Sequence, residues 1–326
     1  MCTAPETLLK AGIDLAVASM FTVECMTVSM IDSLVGMQRL AHAQPDEWNE
    51  AARDLWAPMA GMYFFIPGGP DLAQVHAQNF GFGPETSLDQ VVEGLRALEE
   101  ADAWGRVERA VRDGLERLSA ANPTMRMPDL RVLLVLGDPD NKHFMDEVRG
   151  LSASGGISGF IAITVWPSSE VLDRLEAIAL HELHHNVRYS PGGVVWDPRT
   201  VTVGEHVVAE GLADLFAAEA YGTRGLTHFV SDQTRTSDAV LARVVEGLEV
   251  TGMQDFGAWV LGDASARLFG GTPVGLPTGA GYAAGARIAE AYLSATGRSA
   301  AECVTVPAAD VVAVALPQLG LTTNGQ

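Results

Sequence analysis

One segment, ALHELHHNVRY (residues 179–189), constrains this chain more than any other. Three of its eight histidines and a glutamate fall within five residues, His181-Glu182-Leu183-His184-His185. The surrounding stretch reads as one long helix that opens at Pro167-Ser168-Ser169 and closes before Pro191-Gly192-Gly193. On a helix, residues i and i+4 share a face with about 6 Å between Cβ atoms, so His181 and His185 point the same way. That is how two imidazoles come to share one tetrahedral metal ion. Glu182 is turned about 100° from His181. Its carboxylate is thus set beside such an ion and not on it, the place for a base that takes a proton from water. His184 makes an i, i+3 pair with His181, and geometry admits it as the ligand in place of His185. The H-E-x-x-H arrangement favours His185 and leaves His184 to packing or support.

A second cluster, Glu210-Gly-Leu-Ala-Asp214, begins 25 residues after His185. It lies on a further helix, opened near Thr202 by a capping box with Glu205 and ending near Tyr221-Gly222. Zinc with two histidines needs a third protein ligand, and a glutamate oxygen supplies it in one major class of zinc hydrolase. Asp214 falls one turn after Glu210 on the same face, placed to accept the other N–H of His181 and fix its tautomer. His206 precedes Glu210 by one turn and stands as an alternative ligand. Five of the eight histidines lie between His181 and His228, which puts the chemistry in that third of the chain.

The rest of the sequence bounds the setting. With 41 acidic against 21 basic residues the net charge is −20, a field that repels phosphate backbones and anionic lipid. Neither a nucleic acid nor a membrane is an expected partner. The apolar stretch from Leu15 to Met37 is interrupted by Glu24 and Asp32, which argues against a bilayer span. Cys2, Cys25 and Cys303 are too few and too scattered for a disulfide scaffold or a thiolate metal site. The opening MCTAPETLLKAGIDLA has no basic region followed by an apolar run, so a cytoplasmic protein is expected.

Residues 5–56 read as helical, broken around Gln44-Pro45, with Met20, Met26, Met30 and Met37 as core or interface filler. Phe64 to Pro84 reads as a loop, and Ser87 with Gln90 as a capping box opening a helix. Another helix follows over Ala103–Leu118. Arg131–Leu136 and Gly159–Trp166 are short apolar runs with strand character, and Asp138 and Asp140 belong to the turn after the first. Helices fill the remainder. The order predicts a helix-dominant α+β fold, with an N-terminal helical region over 1–125 and a catalytic-type domain over 126–326.

HELHH followed by a capped helix bearing AEGLAD resembles the gluzincin metallopeptidases. Within them the chain looks most like a bacterial family of predicted zinc-dependent proteases, a domain of unknown function. GGISGFIAITVW before the motif helix, Arg188 after it and the late helix GYAAGARIAEAYL (281–293) add to the likeness, which covers about residues 125–315. It implies one Zn²⁺ per chain held by His181, His185 and Glu210, with Glu182 as catalytic base and Asp214 orienting His181. It implies a peptide or unfolded protein segment as substrate, paired in extended form along Phe160–Val165 as an edge strand. Tyr282, at the start of a Gly-flanked helix, is the first choice to stabilise the oxyanion, ahead of His228 and His206. Ala209 stands where thermolysin-like enzymes have asparagine, so a secreted enzyme of that type is not expected. A catalytically inactive zinc-binding regulator or chaperone-like module is the alternative.

Overall fold

The computed structural model describes residues 26–322, and the helical reading of residues 5–25, with Met20, lies outside them. Four strands, β1 (Val28–Met30), β2 (Leu130–Leu136), β3 (Leu151–Ser154) and β4 (Phe160–Val165), form one sheet in the order β1-β2-β4-β3. β1, β2 and β4 run parallel, with Val28 opposite Leu130 and Arg131 opposite Phe160, whereas β3 is antiparallel to β4. From Val132 to Leu136 every side chain of β2 is buried, the continuous apolar run of a strand covered on both faces.

Two expectations fail at this sheet. Phe160–Val165 is not an edge: it pairs with β2 on one side and with β3 on the other, through Ala162 to Val165. The edge belongs to β3, whose sequence Leu-Ser-Ala-Ser has no β-branched residue and owes its conformation to pairing more than to propensity. Val28–Met30, inside the stretch read as helix, is drawn into the sheet by its register with β2.

Helices make up most of the remainder, so the fold is α+β with helix dominant. Before β2 come α1 (Ser33–Ala41), α2 (Trp48–Trp56), α3 (Leu72–Gln78), α4 (Leu88–Glu100) and α5 (Ala103–Ala121). α3 lies within the segment expected to be loop, and its start is fixed by Asp71, whose carboxylate accepts the Ala73 N–H at 3.0 Å. Ser87 does precede α4 but makes no side-chain capping bond. After β4 come α6 (Ser169–Leu172), α7 (Leu175–Arg188) and α8 (Val203–Tyr221). The single long helix expected here is therefore broken at Asp173-Arg174. Thr202 caps α8 as its sequence predicts, accepting the Glu205 N–H at 3.0 Å. α9 (Asp232–Thr236), α10 (Asp238–Glu246), α11 (Asp263–Leu268), α12 (Ala280–Thr296) and α13 (Ala308–Gln318) complete the chain. No helix among the described residues is long and apolar enough to cross a membrane.

One apolar cluster joins the sheet, α1 to α5 and α7; a second joins α8, α10, α12 and α13. The position 125/126 falls between α5 and β2, and residues on both sides of it share the first cluster. α8 serves both, giving Phe216 and Ala217 to the first and Val207, Val208 and Leu212 to the second. Apart from the half-buried His206, α8 is buried from Val203 to Asp214, as a helix shared by two cores must be. Its crossing with α12 is at backbone contact: a Cβ on Gly211 would sit 2.0 Å from the Gly285 carbonyl oxygen, and one on Gly285 would sit 2.0 Å from that of Val207. That closeness brings the start of α12 against the end of the cleft where α7 and α8 meet.

Candidate metal centre

All residues of α7 except Glu176 are buried, including His181, Glu182, His184 and His185. Burying so many polar groups is costly unless partners answer them. Two side chains at the end of α7 tie it in place. Arg188, fully buried, donates from Nε and Nη2 to the two carboxylate oxygens of Glu205 on α8 at 2.7 and 2.9 Å, and from Nη1 to the Val304 carbonyl at 3.1 Å. Asn186 donates to the carbonyls of Gly155, Ile157 and Phe160 and accepts the Gly159 N–H, binding the loop between β3 and β4 to α7. The approach is close: a Cβ on Gly155 would sit 2.0 Å from the Glu182 carbonyl oxygen.

On this frame His181, His185 and Glu210 meet. The two Nε2 atoms are 3.0 Å apart, and Glu210 Oε2 lies 3.0 Å from that of His181 and 3.1 Å from that of His185. On the far side of His181, Asp214 is held as an acceptor by the Thr227 N–H at 3.2 Å and the Thr227 hydroxyl at 2.7 Å. His181 Nδ1, 3.0 Å from Asp214 Oδ1, therefore carries the hydrogen. In the neutral ring that leaves a lone pair on Nε2, aimed at a carboxylate oxygen and a second imidazole. Acceptors that face one another at 3 Å are reconciled by a proton or by a cation. Zinc fits this donor set, two imidazole nitrogens and one carboxylate oxygen.

The electrostatics report the same competition. Burial works against the His181 imidazolium, yet Asp214 and Glu210 together raise its pKa well above the usual imidazole value. Burial would likewise raise Glu210, and His185 and His181 instead hold it far below the ordinary carboxyl range. Glu182 goes the other way: burial lifts its pKa against the pull of the two imidazoles, and the Gly155 N–H is its backbone partner.

A cleft of about 420 Å³ opens on this cluster, lined among others by β3, the Gly155-Gly156 loop, Phe229, Phe256 and Tyr282. Tyr282 stacks on His181, ring centroids 6.1 Å apart, and its hydroxyl hydrogen-bonds Glu210. Burial, then the neighbouring carboxylates of Glu210 and Glu182, raise its phenol well above the usual value, so it remains a donor. His228 lines the cleft, but its Nε2 donates to the Arg149 carbonyl at 3.1 Å and is committed there. His206 also lines it, packed on Phe256 with centroids 4.6 Å apart; its buried Nε2 has no protein partner, and it stands outside the group of three that can share one ion. His184 faces Phe216, away from the cluster, and burial drops its pKa far below the usual value. Asp138 does serve its turn, accepting the Asp140 N–H.

The geometry thus brings together His181, Glu182, His185, Glu210, Asp214 and Tyr282. Sequence reasoning missed Asn186, Thr227 and the strand β3. Asn186 left a faint signal, a polar residue at the buried end of a helix otherwise committed to the core.

A buried cluster of two histidines and a glutamate, carried by two adjoining helices, is a group that could hold a metal ion. The chain belongs to the family described as predicted Zn-dependent protease (DUF2268), which it matches over residues 111–313. The match spans the second half of α5, the sheet from β2 onward and everything that builds the cluster. An uncharacterized protein of Bacillus subtilis (strain 168), YjfC, is 29% identical over 232 residues, covering 70% of this chain and 75% of that protein. No solved structure matches.

Proposed function

We propose that the protein is a zinc-dependent peptidase of the gluzincin type, a hydrolase of peptide bonds (EC 3.4) that acts in the cytoplasm on peptides or unfolded protein segments. The observation that carries this reading is the convergence of His181, His185 and Glu210 on one point, with Glu182 beside it and Asp214 behind His181. Those three residues would hold one zinc ion per chain, which would supply Lewis acidity toward water and the scissile carbonyl.

The chain's own residues do the rest. Glu182, with a pKa raised by burial, takes a proton from the attacking water and hands it to the leaving amine. Tyr282 donates its hydroxyl hydrogen to the oxyanion, exchanging Glu210 for the substrate oxygen. Its rival His228 is spoken for by Arg149. The free edge of β3 is where an extended peptide adds as a further strand, with Phe229 and Phe256 facing its side chains. Asp214 and the Arg188–Glu205 pair hold the ligands in position and touch no substrate.

Glu182→Gln tests the mechanism. The variant is expected to bind one zinc and to cleave no peptide in a screen that detects the unaltered enzyme. Equal turnover by the variant would sink the assignment.

A further inference from the structure

Charge is distributed unevenly along the cleft. Among its described lining residues the carboxylates are Glu182 and Glu210, both at the His181–His185–Glu210 group, and the guanidinium groups are those of Arg174 and Arg224. Arg174 immediately precedes α7. With Ala177, Ile178, His181 and His185 it follows the i, i+3, i+4, i+7 spacing of one helix face, and all five line the cleft. At 1.5 Å per residue, Arg174 stands about 10 Å before His181 along that face. Its Nη1 donates to the carbonyl of Thr223, the residue before Arg224, at 3.4 Å. Its Nε and Nη2 have no protein partner and remain accessible. Arg224 is exposed and makes no hydrogen bond or ion pair with any described residue.

In a chain of net charge −20, two arginines without a carboxylate at one end of a cleft are an exception. The carboxylates around them are taken. Glu176 feels the charge of Arg224 but gives both oxygens to Arg106, at 2.7 and 2.6 Å. Glu170 is bonded to Arg149, and Asp214 to Thr227 and His181. Asp173 is exposed, pairs with neither arginine and is not in the lining.

The direction of β3 says which part of a peptide meets this end. Beyond the last residue of β3, Gly155 packs on the Glu182 carbonyl; before its first, Arg149 bonds Glu170 of α6 and the His228 carbonyl. α6 ends two residues before Arg174, so β3 runs from the Arg174 end of the cleft toward Glu182. A strand added antiparallel, the more stable pairing, runs from the His181–His185–Glu210 group toward Arg174. At about 3.4 Å per residue, roughly three residues cover the 10 Å. We propose that the cleft selects peptides bearing a carboxylate two or three residues after the scissile bond, bound by Arg174 and favoured by the charge of Arg224. An acidic side chain and a chain terminus offer the same group. The proposal rests on the peptidase reading of the cleft.

Binding without turnover tests it, by fluorescence anisotropy of N-terminally labelled apolar hexapeptides on the full chain, zinc-loaded and carrying Glu182→Gln. Three probes differ only in the last residue: Gln amide, Glu amide, and Gln with a free carboxylate. At least one of the two acidic probes is expected to bind about fivefold or more tighter than the Gln amide. Preference for the Glu amide assigns the site to an acidic side chain, and preference for the free acid assigns it to a chain terminus. Arg224→Gln, which has no bond to lose, and Arg174→Gln are each expected to bring the acidic probe within about twofold of the neutral one, whose affinity stays unchanged. With the unaltered enzyme, mass spectrometry of the fragments is expected to place the carboxylate after the cut bond; finding it before the bond overturns the assigned direction. Equal binding of acidic and neutral probes, or a preference that either arginine variant leaves intact, overturns the inference and leaves the peptidase reading standing. Binding by none of the probes strikes the peptidase reading itself, and this inference with it.

Discussion

Asp214→Asn keeps the shape of a residue that is fully buried and inverts one of its hydrogen bonds. In the native protein the Asp214 carboxylate accepts from Thr227 N–H, Thr227 Oγ1 and His181 Nδ1. An asparagine has one acceptor oxygen, and the two Thr227 donors claim it, which turns its NH₂ toward His181 Nδ1. The ring then avoids a clash of donors by moving its hydrogen to Nε2. That atom is the one 3.0 Å from Glu210 and from His185, so the nitrogen proposed to bind zinc becomes an N–H. Loss of such a supporting carboxylate typically costs about tenfold to a hundredfold in metal affinity, or ~1.4 to ~2.8 kcal/mol. Competition against a chromophoric zinc chelator at pH 7.5 measures it, with thermal melting of the metal-free variant as a control for folding. A zinc affinity within about threefold of the unaltered protein's, in a variant that melts normally, would refute the tautomer argument.

Three further outcomes are expected. Because His181 is raised well above the usual imidazole value without metal, zinc must displace its proton; affinity is expected to weaken as pH falls, beginning above the ordinary imidazole pKa, and proton release on binding is measurable by calorimetry in buffers of different ionisation enthalpy. His76, buried between Trp56 and Phe82, has its pKa lowered to about 4 by burial, so its share of stability is complete above the unfolded value near 6.5 and is lost as pH falls toward 4. Urea unfolding at pH 8 and pH 5 is expected to show about 2 kcal/mol from this residue alone, a difference that His76→Gln removes and that a pH-independent gap between the two proteins would contradict. Arg188→Met strands the Glu205 carboxylate and is expected to cost ~3–5 kcal/mol, with Arg188→Met/Glu205→Met recovering part of it; a double variant no more stable than the single one, by chemical denaturation, would count against the strut.

What could be read from the sequence divides along a physical line. The helix carrying His181 to His185 and the one carrying Glu210 and Asp214 were legible because their evidence is local: helical spacing and a Thr202 cap. β3 was not legible because Leu-Ser-Ala-Ser has no strand preference of its own and becomes a strand by lying against Ala162 to Val165. Placing the edge at Phe160–Val165 followed from the same limit, since a run that apolar is what an interior strand looks like once a neighbour on each side is allowed for. α3 was lost to the Gly and Pro residues before it, although Asp71 at its start was a usable cap signal. Asn186, Thr227 and Glu205 share a different obscurity. Each acts on the His181–His185–Glu210 group through one intermediary, the β3–β4 loop, Asp214 or Arg188, and each pairing spans at least 13 residues of chain. Ligand identity is set by side-chain chemistry at fixed spacing, which a sequence displays. The protonation state of those ligands is set by partners that only the packing of α8 against α7 and α12 brings within reach, and the Asp214→Asn experiment probes that second layer.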